Sequence, residues 1–525
     1  MKRPNILWIT ALILGWFFDF LFWKHNPGIS FAIYVILCLV GGFVLLRMDG
    51  LKPNWKALLL LLPIAFFTAI SFIRQESMSL LLSYAFTLFL LGVLAISFLG
   101  GRWLAYSLSD YVANFFKLAG SMIARPLAFI IENRRQQAET GPKGGARRVW
   151  PILRGVLIAI PIIAVFAALL ASADLIFAQR LDDLIALFRL EKLPEYIFRA
   201  VYILIGAYLL VGVFLHAATR SQDEKLLGEG KPLVPAFLGF TESAIVLGSV
   251  VLLFAAFVVI QFQYFFGGQA NIHIDGYTYA EYARRGFGEL VAVAFFSLLL
   301  YLGLSAIVKR ETPGQRWGFS GLGIGMVALV GIILFSAFQR LLLYEAAYGF
   351  SRLRTYTHVF MFWLGLLLAA VVVLDILRRE RTFALAALLA AVGFAVTLSL
   401  LNVDAFIVRQ NVTRAVQGEE LDVAYLASLS TDATPALAAA FQSPSLPAGT
   451  RDSVGASLAC IQAGASSRQD TSWQSFQFSR LLDARALQSA QNDLKGYQIV
   501  DDDWQTRVIT PQGQEYECLG YGMGD

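Results

Sequence analysis

The runs "GIGMVALVGIILFSAF" (residues 323–338) and "VFMFWLGLLLAAVVVL" (359–374) flank the stretch "YEAAYGFSRLRTYTHVF" (344–360). A helix needs about 20 mostly apolar residues to cross a hydrocarbon core of roughly 30 Å. Both runs are nearly that long, so they read as two membrane helices joined at a turn containing Gly349. The turn carries Glu345, Arg352 and Arg354 with almost no loop to hold them. This hairpin sets the fold class, because its solvent is a bilayer. The composition agrees: 57% of the 525 residues are hydrophobic and 15% are charged, and the mean hydropathy is +0.63. Soluble domains carry about 25% charged residues. The 42 Phe and 10 Trp suit lipid-facing and interfacial positions. The net charge of +5 is spread between apolar runs and never forms a basic domain. It therefore reads as an orientation signal, and nucleic acid is excluded as a partner.

Working outward from the hairpin, the same length rule predicts about eleven spans. They lie near 6–23, 30–47, 57–73, 79–99, 152–172, 196–218, 236–264, 287–308, 319–341, 355–376 and 382–401. "MKRPNILWITALILGWFF" has the basic start of a signal peptide. No small-residue cleavage site follows it, and the bulky "FFDFLFW" predicts a retained helix. With the N-terminus inside, about 22 Lys and Arg fall on the inner side against about 10 outside, as the positive-inside rule requires. The expectation is a multi-pass protein of a cell inner membrane, with a cytoplasmic N-terminus and an extracytoplasmic C-terminus.

Four blocks follow: helices one to four over 1–99, a cytoplasmic segment over 100–149, the main bundle over 150–401, and a soluble domain over 402–525. In the second block, Trp103, Leu104, Leu108, Tyr111, Phe115, Leu118 and Met122 recur at three- and four-residue spacing. This predicts an amphipathic helix on the inner membrane surface. Phe177, Leu181, Leu184 and Phe188 predict a short helix on the outer surface. Beyond residue 401 the composition turns ordinary, and a small α+β extracytoplasmic domain is expected. "LDVAYLASLSTDATPALAAAF" and "SFQFSRLLDARALQSAQ" read as short helices, and "WQTRVITPQGQEYECLGY" as a hairpin about Pro-Gln-Gly. Cys460 and Cys518 both fall in this domain and can pair in an oxidising compartment.

Six stretches together resemble a bacterial multi-pass membrane family of the domain-of-unknown-function type, numbered 4173. They are "ASADLIFA", "VVIQFQYFFGG", "YTYAEYARRGFGEL", "YGFSRLR", "NVDAFIVRQN" and "LDVAYLASLS". The resemblance fades beyond about residue 440. It implies a topology type, with no cofactor or catalytic residue to carry over. In the threading above all six stretches fall on the outer side, which places any shared function there.

Motifs for chemistry are sparse. His25, His216, His273 and His358 lack metal-ligand spacing, and no phosphate loop or nucleophile elbow occurs. In "GLGIGMVAL", Gly321 and Gly325 at four-residue spacing are expected to pack helices closely. The arginines are more informative. Arg284 and Arg285 precede one span that enters from outside, and Arg352 and Arg354 begin another. Cations at a helix N-terminus are disfavoured, so both pairs call for anions. Glu281 and Glu289 bracket the first pair, Glu345 precedes the second by seven residues, and Asp404 with Arg409 and Arg414 forms a third cluster. One reading is an ion-pair collar that fixes helix ends. The other is an anion site for a phosphate or carboxylate, such as a lipid headgroup.

Three function classes follow. The first is a non-enzymatic envelope, sensor-like or scaffold protein whose outer face meets an envelope protein partner. The second is a transporter or lipid-handling protein that binds an anionic lipid headgroup at the arginines. The third is an enzyme with Glu289 or Glu345 as its acid or base.

Overall fold

A computed structural model describes residues 3–140, 192–222, 226–227, 235–266, 287–465, 472–502 and 505–518, and scattered positions between 155 and 180. Eleven described helices are long and apolar enough to cross a membrane. Ten match predicted spans. The eleventh, Leu108–Arg135, is the least apolar of the set. It is the segment expected to lie on the membrane surface, and it forms one continuous helix through Pro126. About half of the predicted span at 152–172 is described, and each described position there is helical; of the expected outer helix, Phe177 is described, while Leu181, Leu184 and Phe188 lie outside the described residues.

The chain divides into two compact units, Met1–Trp23 with Ile36–Lys52 and Phe116–Ser221, and Lys24–Val35 with Pro53–Phe115 and Gln222–Asp525. In the first unit α1 (Pro4–Phe22) runs antiparallel to α7 (Leu193–Thr219). Asp19 takes Arg199 Nε at 2.8 Å, and Gly15 lies against the Ile203 carbonyl. Leu7, Ala11, Ala207 and Val211 fill the seam toward the other end. Trp23 Nε1 donates to Glu195 at 2.9 Å, and Tyr202 also donates to Asp19. The second half of α2 (Ile29–Met48) closes the core, with Gly41 against Leu14 and Gly42 against Phe214. The later part of α6 (Leu108–Thr140) crosses α7 steeply: Ser121 bonds His216, Met122 lies on Gly212, and Ile123 accepts from Tyr208.

The second unit holds α3 (Trp55–Leu58), α4 (Leu61–Ile73), α5 (Ser77–Ser97), α8 (Phe240–Phe266), α9 (Phe287–Ile307), α10 (Pro313–Tyr348), α11 (Arg352–Ile376) and α12 (Phe383–Leu401). α10, at 36 residues the longest described helix, packs on α8, α9 and α11. Two of its glycines permit close approach: Gly323 is pressed against the Tyr301 ring and Gly318 against the Phe240 ring. A Cβ at Gly321 would meet open space, and one at Gly325 only Val251 at 3.9 Å, so the expected pair is not the packing pair. The sequence pattern gave the spacing of the small residues but not the face turned to α9.

The C-terminal region folds as α13 (Val403–Val416), α14 (Val423–Ala427), α15 (Thr434–Phe441), α16 (Ala448–Ala465) and α17 (Phe478–Ala490). A three-stranded antiparallel sheet follows in the order β1 (Gln498–Asp502), β2 (Gln505–Ile509), β3 (Glu515–Cys518). The hairpin about Pro-Gln-Gly is β2–β3, with Gly513 at φ +83° where a side chain would be strained. β1, α13 and α16 were not read from the sequence. Leu426, Leu437, Val454, Leu458 and Val508 share one core, and Cys460 is disulfide-bonded to Cys518 with Cα atoms 5.5 Å apart.

Candidate functional site

The C-terminal region rests on one end of the second unit's helices. Ile29 N donates to Phe476 O at 2.9 Å, and Ser475 Oγ donates to Asn26 O. The turn 74–76, the turn 349–351 and the α12–α13 corner at Asn402 meet at the same end. The site is built there.

The turn after α10 begins at Gly349, whose φ of +79° favours glycine. A Cβ at this position would lie 2.7 Å from Arg414 Nη1 and 2.8 Å from Asn411 Oδ1. Asn411 holds the next residue by both backbone groups: Phe350 N donates to Oδ1 at 2.7 Å, and Nδ2 donates to Phe350 O at 2.9 Å. The chain then enters α11, and Arg352 meets its anion. Its Nε donates to Asp404 Oδ1 at 2.8 Å and its Nη2 to Oδ2 at 2.6 Å. Asp404 is fully buried. It lies in the first turn of α13, where the helix dipole favours a carboxylate, and it also accepts Ser430 N at 2.8 Å. Tyr425 Oη accepts Arg352 N at 2.9 Å.

A second node lies alongside. Glu76 caps α5 by accepting Met78 N and Ser79 N at 2.8 Å each, and it receives the Tyr356 hydroxyl. Asp432 accepts Gln75 N at 2.7 Å and Glu76 N at 2.9 Å. Burial pushes the Asp432 carboxyl above its ordinary range; the amide of Gln75, the Ser479 hydroxyl, Arg74 and the amide of Glu76 oppose that shift. Arg74 Nε donates to Ser399 O at 3.1 Å, and its Nη1 stands 3.8 Å from Asp432. Beside this node opens a cleft of about 700 Å³, lined in part by Arg74, Asn402, Arg409, Thr431, Asp432 and Ser479.

The residues singled out from the sequence are thus redistributed. Glu345 does not answer the arginines. It is 1% exposed on the last turns of α10, and its Oε1 lies 3.3 Å from His358 Nδ1. The seven-residue spacing misled because α10 continues to Tyr348 and turns Glu345 inward, while Arg352 starts the next helix. Arg354 donates to the carbonyls of Tyr348 and Gly349 and lies over the Tyr344 ring at 4.2 Å. Arg414 donates to Ala346 O at 2.8 Å and lies 3.4 Å from Glu419. Arg409 is exposed at the cleft. Glu289 is exposed in the first turn of α9, while Glu281, Arg284 and Arg285 lie outside the described residues. Glu76, Asp432 and Asn411 were missed; for Glu76 the sequence signal is a carboxylate before a serine in "RQES", a pattern that fits a helix cap but is weak alone.

A family model described as "Domain of unknown function (DUF4153)" matches residues 58–440. The chain belongs to the DUF4153 family. The number 4173 expected from the motifs is corrected by this match; the family type and its span along the chain are as expected. The DUF4153 region runs from the end of α3 almost to the end of α15, so it contains Arg74, Glu76, Arg352, Asp404 and Asp432. Both cysteines, α16, α17 and the sheet lie beyond it. No curated protein and no solved structure matches this DUF4153 chain.

Proposed function

We propose that this chain is a non-enzymatic envelope scaffold of a cell inner membrane. In this reading, the bundle holds the C-terminal domain rigidly on the extracytoplasmic helix ends, where it meets an envelope protein partner. The observation that carries the reading is the Arg352–Asp404 pair: the anion that the helix-start arginine needs is supplied by the chain itself, from the first turn of the docked domain.

Two arguments support the orientation. In the second unit, the connections at the end away from the C-terminal domain carry Lys56, Arg102, Lys309, Arg310, Arg316, Arg378, Arg379 and Arg381. Those beside the domain carry Lys24, Arg74, Arg352 and Arg354. The more basic end is the cytoplasmic one by the positive-inside rule. A disulfide in the domain also fits an oxidising compartment.

The antiparallel seam of α1 and α7 supports the span count. An even number of crossings must separate the end of α1 from the start of α7. α2, α3–α4 and α5 supply three, so an odd number remains for residues 98–192. The steep crossing of α6 over α7 favours the surface role for α6 and leaves the crossing to 152–172. Three successive residues of α6 advance about 3 Å, yet they reach positions on α7 that are about 12 Å apart.

A reporter fused after residue 405 should be active only outside the cytoplasm; a cytoplasmic signal overturns the orientation. In the same cells, a membrane-impermeant amine cross-linker reaching exposed Lys495 should join the domain to a second protein.

The exposed Arg409 beside the 700 Å³ cleft favours a second reading, capture of an anionic lipid headgroup. Purified protein would then retain a phosphorylated lipid in native mass spectrometry. Arg409→Gln would lower that retention about tenfold while changing stability by less than about 0.5 kcal/mol. Equal retention by the variant removes this reading and leaves the scaffold.

A further inference from the structure

The opposite end of the second unit holds a separate cleft of about 380 Å³, formed where α9 ends, α10 begins and α11 ends. Among the described residues its one lining carboxylate is already occupied. Asp375 accepts Arg310 Nη1 at 2.8 Å and Ser320 Oγ at 2.5 Å. Arg310 spends its other side on Ser305 and stacks on Phe319. The N-terminus of α10 is also closed, by the reciprocal Thr312–Gln315 capping box.

Two lining arginines remain beyond these internal pairs. Arg316 uses Nε on the Arg310 carbonyl at 3.0 Å and is otherwise exposed. Arg378 is exposed and has φ +57° at the end of α11, where glycine or asparagine is the usual occupant. Its backbone closes the helix: Arg378 N donates to Asp375 O, and Arg379 N to Leu374 O. That closure uses only the backbone and leaves the Arg378 side chain at the cleft. Among the described residues neither Arg316 nor Arg378 has a carboxylate partner. Trp317, 70% exposed, stands beside them in the first turn of a membrane helix, the level at which aromatic side chains meet headgroups.

We propose that this cleft binds the phosphate of an anionic phospholipid at the membrane–water boundary, with Arg316 and Arg378 as its ligands. A phosphate accepts bidentate bonds from guanidinium groups, and a headgroup reaches this depth while its acyl chains lie along α10 and α11. The site is independent of the scaffold reading and of which side faces the cytoplasm.

The test is native mass spectrometry of the full chain released from nanodiscs of phosphatidylcholine with and without phosphatidylglycerol. The wild type should retain phosphatidylglycerol in preference to phosphatidylcholine. Arg316→Gln/Arg378→Asn, in which asparagine suits the left-handed backbone, should lower that retention about thirtyfold. Lys309→Gln, outside the cleft lining, should leave it unchanged. Equal retention by the double variant, an equal loss in Lys309→Gln, or no preference over phosphatidylcholine would overturn the site. A further arm adds inorganic phosphate to phosphatidylcholine nanodiscs. Thermal protection of the wild type there, absent from the double variant and not increased by phosphatidylglycerol, would assign the cleft to soluble phosphate and overturn the lipid.

Discussion

Asp404→Ala is expected to destabilise the second unit by about 3–4 kcal/mol, because it leaves a guanidinium without its buried partner. Asp404 is fully buried and the Arg352 side chain is only partly open to solvent, so water replaces the lost bonds poorly. The same change strips Ser430 N of its acceptor and removes the carboxylate from the first turn of α13. Asp404→Asn keeps an acceptor for Ser430 and for one arginine nitrogen, and should lose about half as much. Adding Arg352→Leu to Asp404→Ala should recover part of the loss, since the unpaired charge is then gone. Thermal unfolding in detergent reads all three, and trypsin sensitivity of the C-terminal domain reports whether the loss is in docking. A loss below about 1 kcal/mol in Asp404→Ala would show that the pair does not hold the domain.

Opening the Cys460–Cys518 bond should have a comparable effect in a different place. The bond ties α16 to β3 across a sequence separation of 58. Closing a loop of that length removes denatured-state entropy worth about 4 kcal/mol in the chain-entropy account. Cys460→Ser/Cys518→Ser, or the wild type under reductant, should therefore unfold the terminal sheet well before the helices. Cys38 in α2 is not part of a disulfide and serves as an internal control for thiol labelling. If labelling of denatured, unreduced protein modifies all three cysteines, or if reductant leaves the domain's melting unchanged, the staple is not contributing.

What could be read from the sequence was what depends on neighbours along the chain. The spans were legible because a bilayer crossing writes itself as about 20 apolar residues. The β2–β3 turn was legible because Gly513 needs a positive φ. The partners of the arginines were not. Arg352 and Asp404 are 52 residues apart, and Gln75 and Asp432 are 357 apart, so only the fold brings them together. Nearness in sequence favoured Glu345, but the helix that carries it turns it toward His358. α6 shows a different limit. Its apolar spacing was visible, yet a helix of 33 residues with an apolar face satisfies both a surface role and the length of a crossing. The choice between them rests on how it meets α7.

The Arg352–Asp404 pair also has a consequence for biogenesis. A ribosome delivers Arg352 first, and Asp404 appears 52 residues later, after all of α12. The amides of Gln75 and Glu76 wait longer still, until Asp432 is made. During synthesis the hairpin of α10 and α11 therefore carries a positive charge at Arg352 whose buried partner has not yet been made. A chain released before Asp404 is made would keep the Arg352 charge without its partner, and one released before Asp432 would leave the Gln75 and Glu76 amides without their acceptor.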